Sequence, residues 1–279
     1  MYTPKARFAA KYPFFVMLII LIKQNTLSLL GIRKKNLVWF YDLSNLVLTK
    51  IVKNKLLNNI EQNFKNLVLT GPFKGLSIDA RSYTPGQILG MYEHEIHALL
   101  ENKILKKKYK CLINLGVANG YYFLGFLKYG NFSKGVAIDI DTVHFDTIKK
   151  LIKKNNISCD VSFFDQINKF ESGKMGLKQN NLIICDIEGE EINFLDSQKR
   201  PWLLYSDIFV ETHHKNILLK IERDFEKTHK ITKIINSVTI NYDLPKPINY
   251  HEKFNSVDKL ILSGSLRKDR SPWLFLEKR

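Results

Sequence analysis

Cysteine, proline and glycine are scarce in this chain, acidic residues are outnumbered, and long apolar runs are missing. Among 279 residues there are 3 Cys, 8 Pro and 14 Gly. Cys111, Cys159 and Cys185 are odd in number, share no C-x-x-C spacing, and each sits in an apolar, strand-like stretch. That pattern argues against a disulfide framework and a cysteine zinc site, and it points to buried thiols in a reducing, cytoplasmic compartment. The N-x-S triplets at Asn131 and Asn156 are accordingly expected to be chance matches.

One stretch invites a membrane reading: PFFVMLIILI at 13–22, ten residues long and preceded by Lys5, Arg7 and Lys11. A spanning helix needs about 20 apolar residues, so this run is too short to cross a bilayer. A secretory leader is disfavoured because KQNTLSLLG, with no small-x-small cleavage pattern, comes next. Two readings stay open for residues 1–75. One is an interfacial helix on the inner membrane face, supported by the basic and aromatic mixture IRKKNLVWFYDL at 32–43. The other is simple packing of this extension onto the main domain.

Acidic residues number 27 against 43 Lys and Arg, for a net charge of +16. Residues 1–75 hold 12 Lys and Arg against Asp42 and Glu61, which is +10 and leaves +6 for the remainder. Such a balance favours an anionic partner: a membrane face, nucleic acid, or an acidic or phosphate-bearing acceptor. A Lys- and Asn-rich coding bias with solvated lysines gives the same numbers.

What is present is an alternation. Residues 1–75 have apolar residues at helical spacing (Leu43, Leu46, Val47, Ile51) and form a basic helical extension. The Gly- and Pro-rich piece at 70–90 reads as a hairpin or irregular entry. In 76–279 an amphipathic helix, MYEHEIHALLENKIL, precedes short apolar strands separated by helices: CLINL, GVAIDI, DVSFF, NLIICDI and SDIFVET. A helix from Ile217 to Lys230, strands at KITKIINS and KLILSG, and an edge strand in SPWLFLEKR are expected at the C-terminal side. Continuous apolar strands alternating with helices indicate a mostly parallel, doubly wound α/β sheet, Rossmann-like, with helices on both faces.

In such sheets ligands bind outside the carboxyl ends of the strands, at the switch point. The first strand ends at Leu115 and runs into Gly116, Ala118 and Gly120, which let the backbone approach a ligand closely. Asp139 closes the next strand 23 residues after Gly116, near the offset at which an acid accepts from ribose hydroxyls. A dinucleotide fingerprint needs small residues for its pyrophosphate, whereas Ala118 replaces the second glycine and the bulky Tyr121 and Tyr122 follow Gly120. The turn therefore favours a nucleoside-bearing cofactor without phosphate, S-adenosyl-L-methionine. Asp165, after DVSFF, joins the cofactor candidates.

From GMYEHEIHALL through INLGVANGYY, GVAIDID, NNLIICDIEGEE and DIFVETHH, roughly residues 85–215, the chain resembles the FkbM-like branch of class I S-adenosylmethionine-dependent methyltransferases. The most specific piece is DIEGEE at 186–191, which matches that family's D-[VI]-E-G-x-E. The resemblance implies a Rossmann-like methyltransferase domain over 76–279, S-adenosyl-L-methionine as methyl donor, and O-methylation of a sugar or natural-product hydroxyl. It also places Glu93, in the Tyr92–Glu93 pair, near the cofactor. Asn114 stands where the family usually has Asp, and Ala118 where class I turns often have Gly or Asn; both positions bear on the methionine end of the cofactor.

Read as chemistry, Asp186, Glu188 and Glu191 cluster after one strand, and Glu211, His213 and His214 after its neighbour. Methyl transfer from a sulfonium requires an acceptor oxygen held in line and relieved of its proton. Asp186 and His213 are the base candidates, with Glu188 and Glu211 orienting the acceptor. Asp186 also belongs with Glu93, Asn114, Gly116, Ala118, Gly120, Tyr121, Asp139 and Asp165 as a cofactor-binding candidate. Glu188 and Glu191 could alternatively cap the next helix, and His214 reads as a solvated loop residue. A divalent metal on Asp186, Glu211 and His213 is weighed and not favoured. His94 and His97, three apart, do not fit the H-E-x-x-H zinc spacing. The acceptor expected is a small molecule, glycan or glycolipid. The rivals are an RNA methyltransferase and a non-catalytic binding protein that keeps the fold. Against RNA, no N/D-P-P-Y motif appears and the basic charge concentrates outside 76–279.

Overall fold

The computed structural model describes residues 34–172, 180–235, 248, 254–262 and 271–279. The apolar run at 13–22 lies outside the described residues.

Seven strands form a single sheet: β1 (Lys108–Leu115), β2 (Asn131–Ile138), β3 (Asp160–Phe164), β4 (Asn181–Cys185), β5 (Asp207–Glu211), β6 (His229–Ile234) and β7 (Trp273–Lys278). Their spatial order is β3-β2-β1-β4-β5-β7-β6. The first five pair in parallel, and β7 inserts antiparallel between β5 and β6. The chain order reverses between β1 and β4, so the switch point lies at the carboxyl ends of that pair.

Alternate side chains of each strand feed two cores. Leu112, Ala137, Leu182, Ile184 and Phe209 point to one face; Ile113, Val136, Ile183, Ile208 and Val210 point to the other. All five residues of β4 are buried. Burial on both sides explains why the strands are continuous apolar runs instead of alternating ones.

Helices cover both faces. α1 (Lys34–Asn59) contributes Val52 and Leu56 to the first core. α2 (Pro85–Leu89) begins with a reciprocal cap in which Thr84 and Gln87 exchange hydrogen bonds. α3 (Tyr121–Tyr129) follows β1, α4 (Phe145–Lys154) follows β2, α5 (Ile167–Ser172) follows β3, α6 (Glu191–Phe194) follows β4 and α7 (Lys215–Phe225) follows β5. α8 (Ser256–Leu262) precedes β7. Among the described residues no helix is long and apolar enough to cross a membrane.

Four expectations for individual elements are corrected. The helix expected at 91–105 is a succession of short 3-10, α and π turns over 94–104, entered from Glu93 at φ 50°. These mixed turns still bury Ile96, Leu100 and Ile104, as the apolar pattern requires. The helix expected to reach Lys230 stops at Phe225, because His229 is buried, contacts the Ser206 carbonyl at 2.9 Å and opens β6. KLILSG is not a strand: residues 259–262 lie in α8, which Asn255 and Asp258 cap by exchanging hydrogen bonds at 2.9 and 3.0 Å. Finally, β7 is an interior strand. Trp273, fully buried, stacks on Phe209 at 4.3 Å and meets Tyr122 edge-on at 5.7 Å, so the C-terminal segment gains more by joining the sheet than by edging it.

Two predictions follow from this packing. Trp273→Ala should lower unfolding free energy by about 3–5 kcal/mol, read as a fall in the urea midpoint with the m-value unchanged. The second concerns His97, which burial, with a smaller contribution from His94, pushes down to about 4. Its Nε2 lies 3.1 Å from the Tyr92 carbonyl. The unfolded chain protonates this imidazole near pH 6.5 and the folded chain does not, so the contribution is complete above about 6.5 and is lost as pH falls toward 4. His97→Gln should flatten the decline of melting temperature across that window; an unchanged slope would contradict the assignment.

Candidate active site

β1 delivers the chain into a turn with three left-handed residues: Gly116 (φ 77°), Ala118 (φ 46°) and Gly120 (φ 86°). At Gly116 a Cβ would lie 1.8 Å from the Asp186 carbonyl oxygen, so only glycine lets the β1 and β4 ends approach this closely. Gly120 meets Ile148 in the same way, at 2.8 Å. Ala118 is not glycine, and its conformation is strained. It is held by Asp139, whose Oδ2 accepts the Ala118 N–H at 2.7 Å.

Asn119 completes the turn. Its amide donates to the Ser82 carbonyl and to Gln87 Oε1, and its Oδ1 accepts from Tyr121 N at 3.2 Å. This cap occupies the first amide of α3, a group a pyrophosphate would otherwise use.

Beside the turn lies a cleft of about 740 Å³. Of the residues nominated from sequence, Gly116, Ala118, Asp139, Asp165, Asp186 and Glu188 line it. Asp139 and Asp165 stand just beyond β2 and β3; Asp165 also holds Lys169 at 2.6 Å. Ile187, Phe194 and Arg200 form part of the opposite wall. Ile140 is 89% exposed at the cleft, and Val143 nearby is 68% exposed. An exposed isoleucine next to the cleft acid is an apolar platform suited to the face of a flat ring.

Other nominees stand behind the cleft. Asn114 is buried under the turn, its amide 3.4 Å from the Leu115 and Gly116 carbonyls. Tyr121 points into the core, packing against Phe73 at 5.3 Å and Tyr92 at 6.0 Å. Glu93, Glu211 and His213 form a second group with Asp186 and Glu188. His213 Nδ1 donates to Glu191 Oε1 at 2.6 Å, while its Nε2 lies 3.4 Å from Glu188, 3.6 Å from Asp186 and 3.9 Å from Glu211. Glu93 is buried, accepts from the Tyr122 hydroxyl and acts on Asp186.

Burial sets the electrostatics here. It raises Glu93 and Glu211, which neighbouring carboxylates push further, and it raises Asp186 to about 6 against the opposing pull of His213. Burial alone would raise Glu191 and lower His213. Their mutual hydrogen bond reverses both, holding Glu191 low and His213 high.

Ile140 and Asn119 were not singled out from sequence, and Glu191 was read as a member of the acidic cluster or a helix cap, not as the partner of His213. Ile140 is a polar-turn position filled by an apolar residue directly after Asp139, and that mismatch was the available signal. Glu191 reads as a helix cap; it does accept from Gly189 N at 3.1 Å, but its side chain is fully buried against His213. Asn119 carried no signal, because its partners Ser82 and Gln87 lie over thirty residues away.

The strand order and the antiparallel seventh strand define the class I methyltransferase fold. No protein-family model matches the chain, and no curated protein matches it in sequence. Solved structures that it resembles include the tRNA (m1A58) methyltransferase TrmI from Aquifex aeolicus, at 12% identity over 67% of this chain and 68% of that one, TM-score 0.41. The O-methyltransferase TomG from Streptomyces achromogenes shares 10% identity over 73% and 82%, TM-score 0.41. An rRNA methylase from Streptococcus thermophilus shares 13% over 66% and 96%, TM-score 0.43.

The close approach at Gly116 is directly testable. Gly116→Ala should lower the melting temperature by several degrees, since it combines a strained φ with a backbone clash. A variant as stable as wild type would show that the β1 and β4 ends are farther apart than described.

Proposed function

We propose that this chain is an S-adenosyl-L-methionine-dependent methyltransferase, FkbM-like, that methylates a hydroxyl on a sugar, glycan or natural-product acceptor. The observation that carries this reading is Asp139, a carboxylate standing over the cleft at the end of β2, with the exposed Ile140 beside it and the amide-capped turn opposite. Asp139 would accept from ribose hydroxyls, Ile140 would cover the purine face, and the backbone of Gly116 and Ala118 would take the amino-acid end at close range. Bound there, the cofactor supplies an electrophilic methyl group on a sulfonium.

The residues behind the cleft supply the rest. Glu191 fixes His213 with its proton on Nδ1, which leaves Nε2 to receive a proton from the acceptor. Asp186 links the two regions, since it lines the cleft and lies 3.6 Å from that nitrogen. Glu188, largely exposed, is placed to orient the acceptor. Asp186 and the exposed Glu188 make the acceptor end of the cleft acidic on a basic protein. This supports an uncharged acceptor over RNA, whose phosphates such a rim would repel. Contact of residues 1–75 with a membrane-borne glycolipid acceptor is consistent with their charge.

Calorimetric titration with S-adenosyl-L-methionine tests the proposal. Wild type should bind one equivalent, and Asp139→Ala should bind at least about tenfold more weakly, the loss of one charge-assisted hydrogen bond. Absence of binding to wild type would overturn the reading.

A further inference from the structure

β4 and β5 pair with Cys185 opposite Val210, so the residues that follow, Asp186 and Glu211, leave the sheet side by side. His213 comes back over them. One ligand atom each from Asp186, Glu211 and His213 lies within 4.8 Å of the others. The separations from His213 Nε2, 3.6 Å to Asp186 Oδ1 and 3.9 Å to Glu211 Oε2, are those spanned by one ion about 2.1 Å from each atom.

Behind this trio stands a fourth acid. Glu191 has no exposed side-chain surface and directs its carboxylate at the cluster, gripping His213 Nδ1 at 2.6 Å. Its second oxygen, Oε2, is buried and has no hydrogen-bond partner among the described residues. A buried carboxylate behind an imidazole fixes the ring so that the opposite nitrogen faces a metal, and it raises the basicity of that nitrogen. Asp186 and Glu211 present carboxylate oxygens within 4.8 Å of one another, and a divalent ion between them would offset their repulsion.

The geometry points to a divalent cation site formed by Asp186, Glu211 and His213, with Glu191 as the positioning residue for His213. One imidazole nitrogen with two carboxylate oxygens suits a first-row transition ion such as Mn²⁺ better than Mg²⁺ or Ca²⁺, which prefer all-oxygen sets. Glu188 Oε2, 3.4 Å from His213 Nε2 and exposed, can join as a further ligand. Asp186 lines the cleft, so the open side of the ion faces it. With the ion bound, His213 Nε2 is a ligand and no longer the proton acceptor: the ion would take the acceptor oxygen as a ligand and lower its pKa, and the proton would pass to solvent water at the cleft. This last role rests on the methyltransferase reading; the binding of the ion does not.

The test is titration of the metal-free full chain with Mn²⁺, followed by electron paramagnetic resonance. Wild type should take up one Mn²⁺ per chain and show nitrogen hyperfine coupling from a single imidazole, with Mg²⁺ competing only at large excess. His213→Ala should abolish that coupling, and Glu211→Gln should weaken uptake at least tenfold. Glu191→Gln should weaken it about tenfold while leaving the coupling present. If the variants fold poorly, the coupling in wild type still decides the matter. No stoichiometric uptake, or uptake without nitrogen coupling, overturns the site. Mn²⁺ binding without S-adenosyl-L-methionine binding would leave the site standing and sink the proposed function; the reverse result would do the opposite.

Discussion

The backbone of Gly116 lies against the carbonyl of Asp186 with no room for a Cβ, and the rest of the site depends on that contact. It brings the end of β1 against the end of β4 at the point where strand order reverses. The turn that follows then lies next to the acid of β2, and Asp139 holds Ala118 in a conformation it would not otherwise keep. On the other side of the contact, Asp186 leaves β4 with its carboxylate toward the cleft and within reach of His213. The cleft wall and the acidic cluster are therefore two sides of one backbone approach.

Charge is distributed against the overall trend of the molecule. The chain is +16, yet its cleft and the space behind it collect Asp139, Asp165, Asp186, Glu188, Glu93 and Glu211. Glu93 and Glu211 are buried and Asp186 is half-buried, and burying carboxylates is unfavourable unless each is hydrogen-bonded, protonated or paired. The protein uses the Tyr122 hydroxyl for Glu93, His213 for Glu191, and backbone amides for Asp139. Asp186 and Glu211 stand together beside His213 at the ends of β4 and β5.

Much of this was legible in the sequence, for physical reasons that differ by element. The central strands were readable because burial on both faces writes a continuous apolar run, as in NLIIC. The place of Asp139 beside the turn was readable because it depends on spacing from the glycines, and spacing survives in one dimension. The C-terminal region was less so. KLILSG is apolar enough for a strand, but the Asn255–Asp258 cap makes it a helix, and SPWLFLEKR takes an interior place because Trp273 finds Phe209 and Tyr122. Tyr121 is close in sequence to the glycine turn but belongs to the core. The grip of Glu191 on His213 joins residues 22 apart in sequence that only the pairing of β4 with β5 brings together.

The central claim is that the cleft beside Gly116 and Asp139 holds a nucleoside sulfonium and that its sulfur faces the Asp186–His213 end. A crystal structure with S-adenosylhomocysteine tests this most directly. The account predicts ribose hydroxyls on the Asp139 carboxylate, the adenine against Ile140, and the sulfur directed toward Asp186. Density elsewhere, or the ligand reversed so that its sulfur points away from Asp186 and His213, would contradict it.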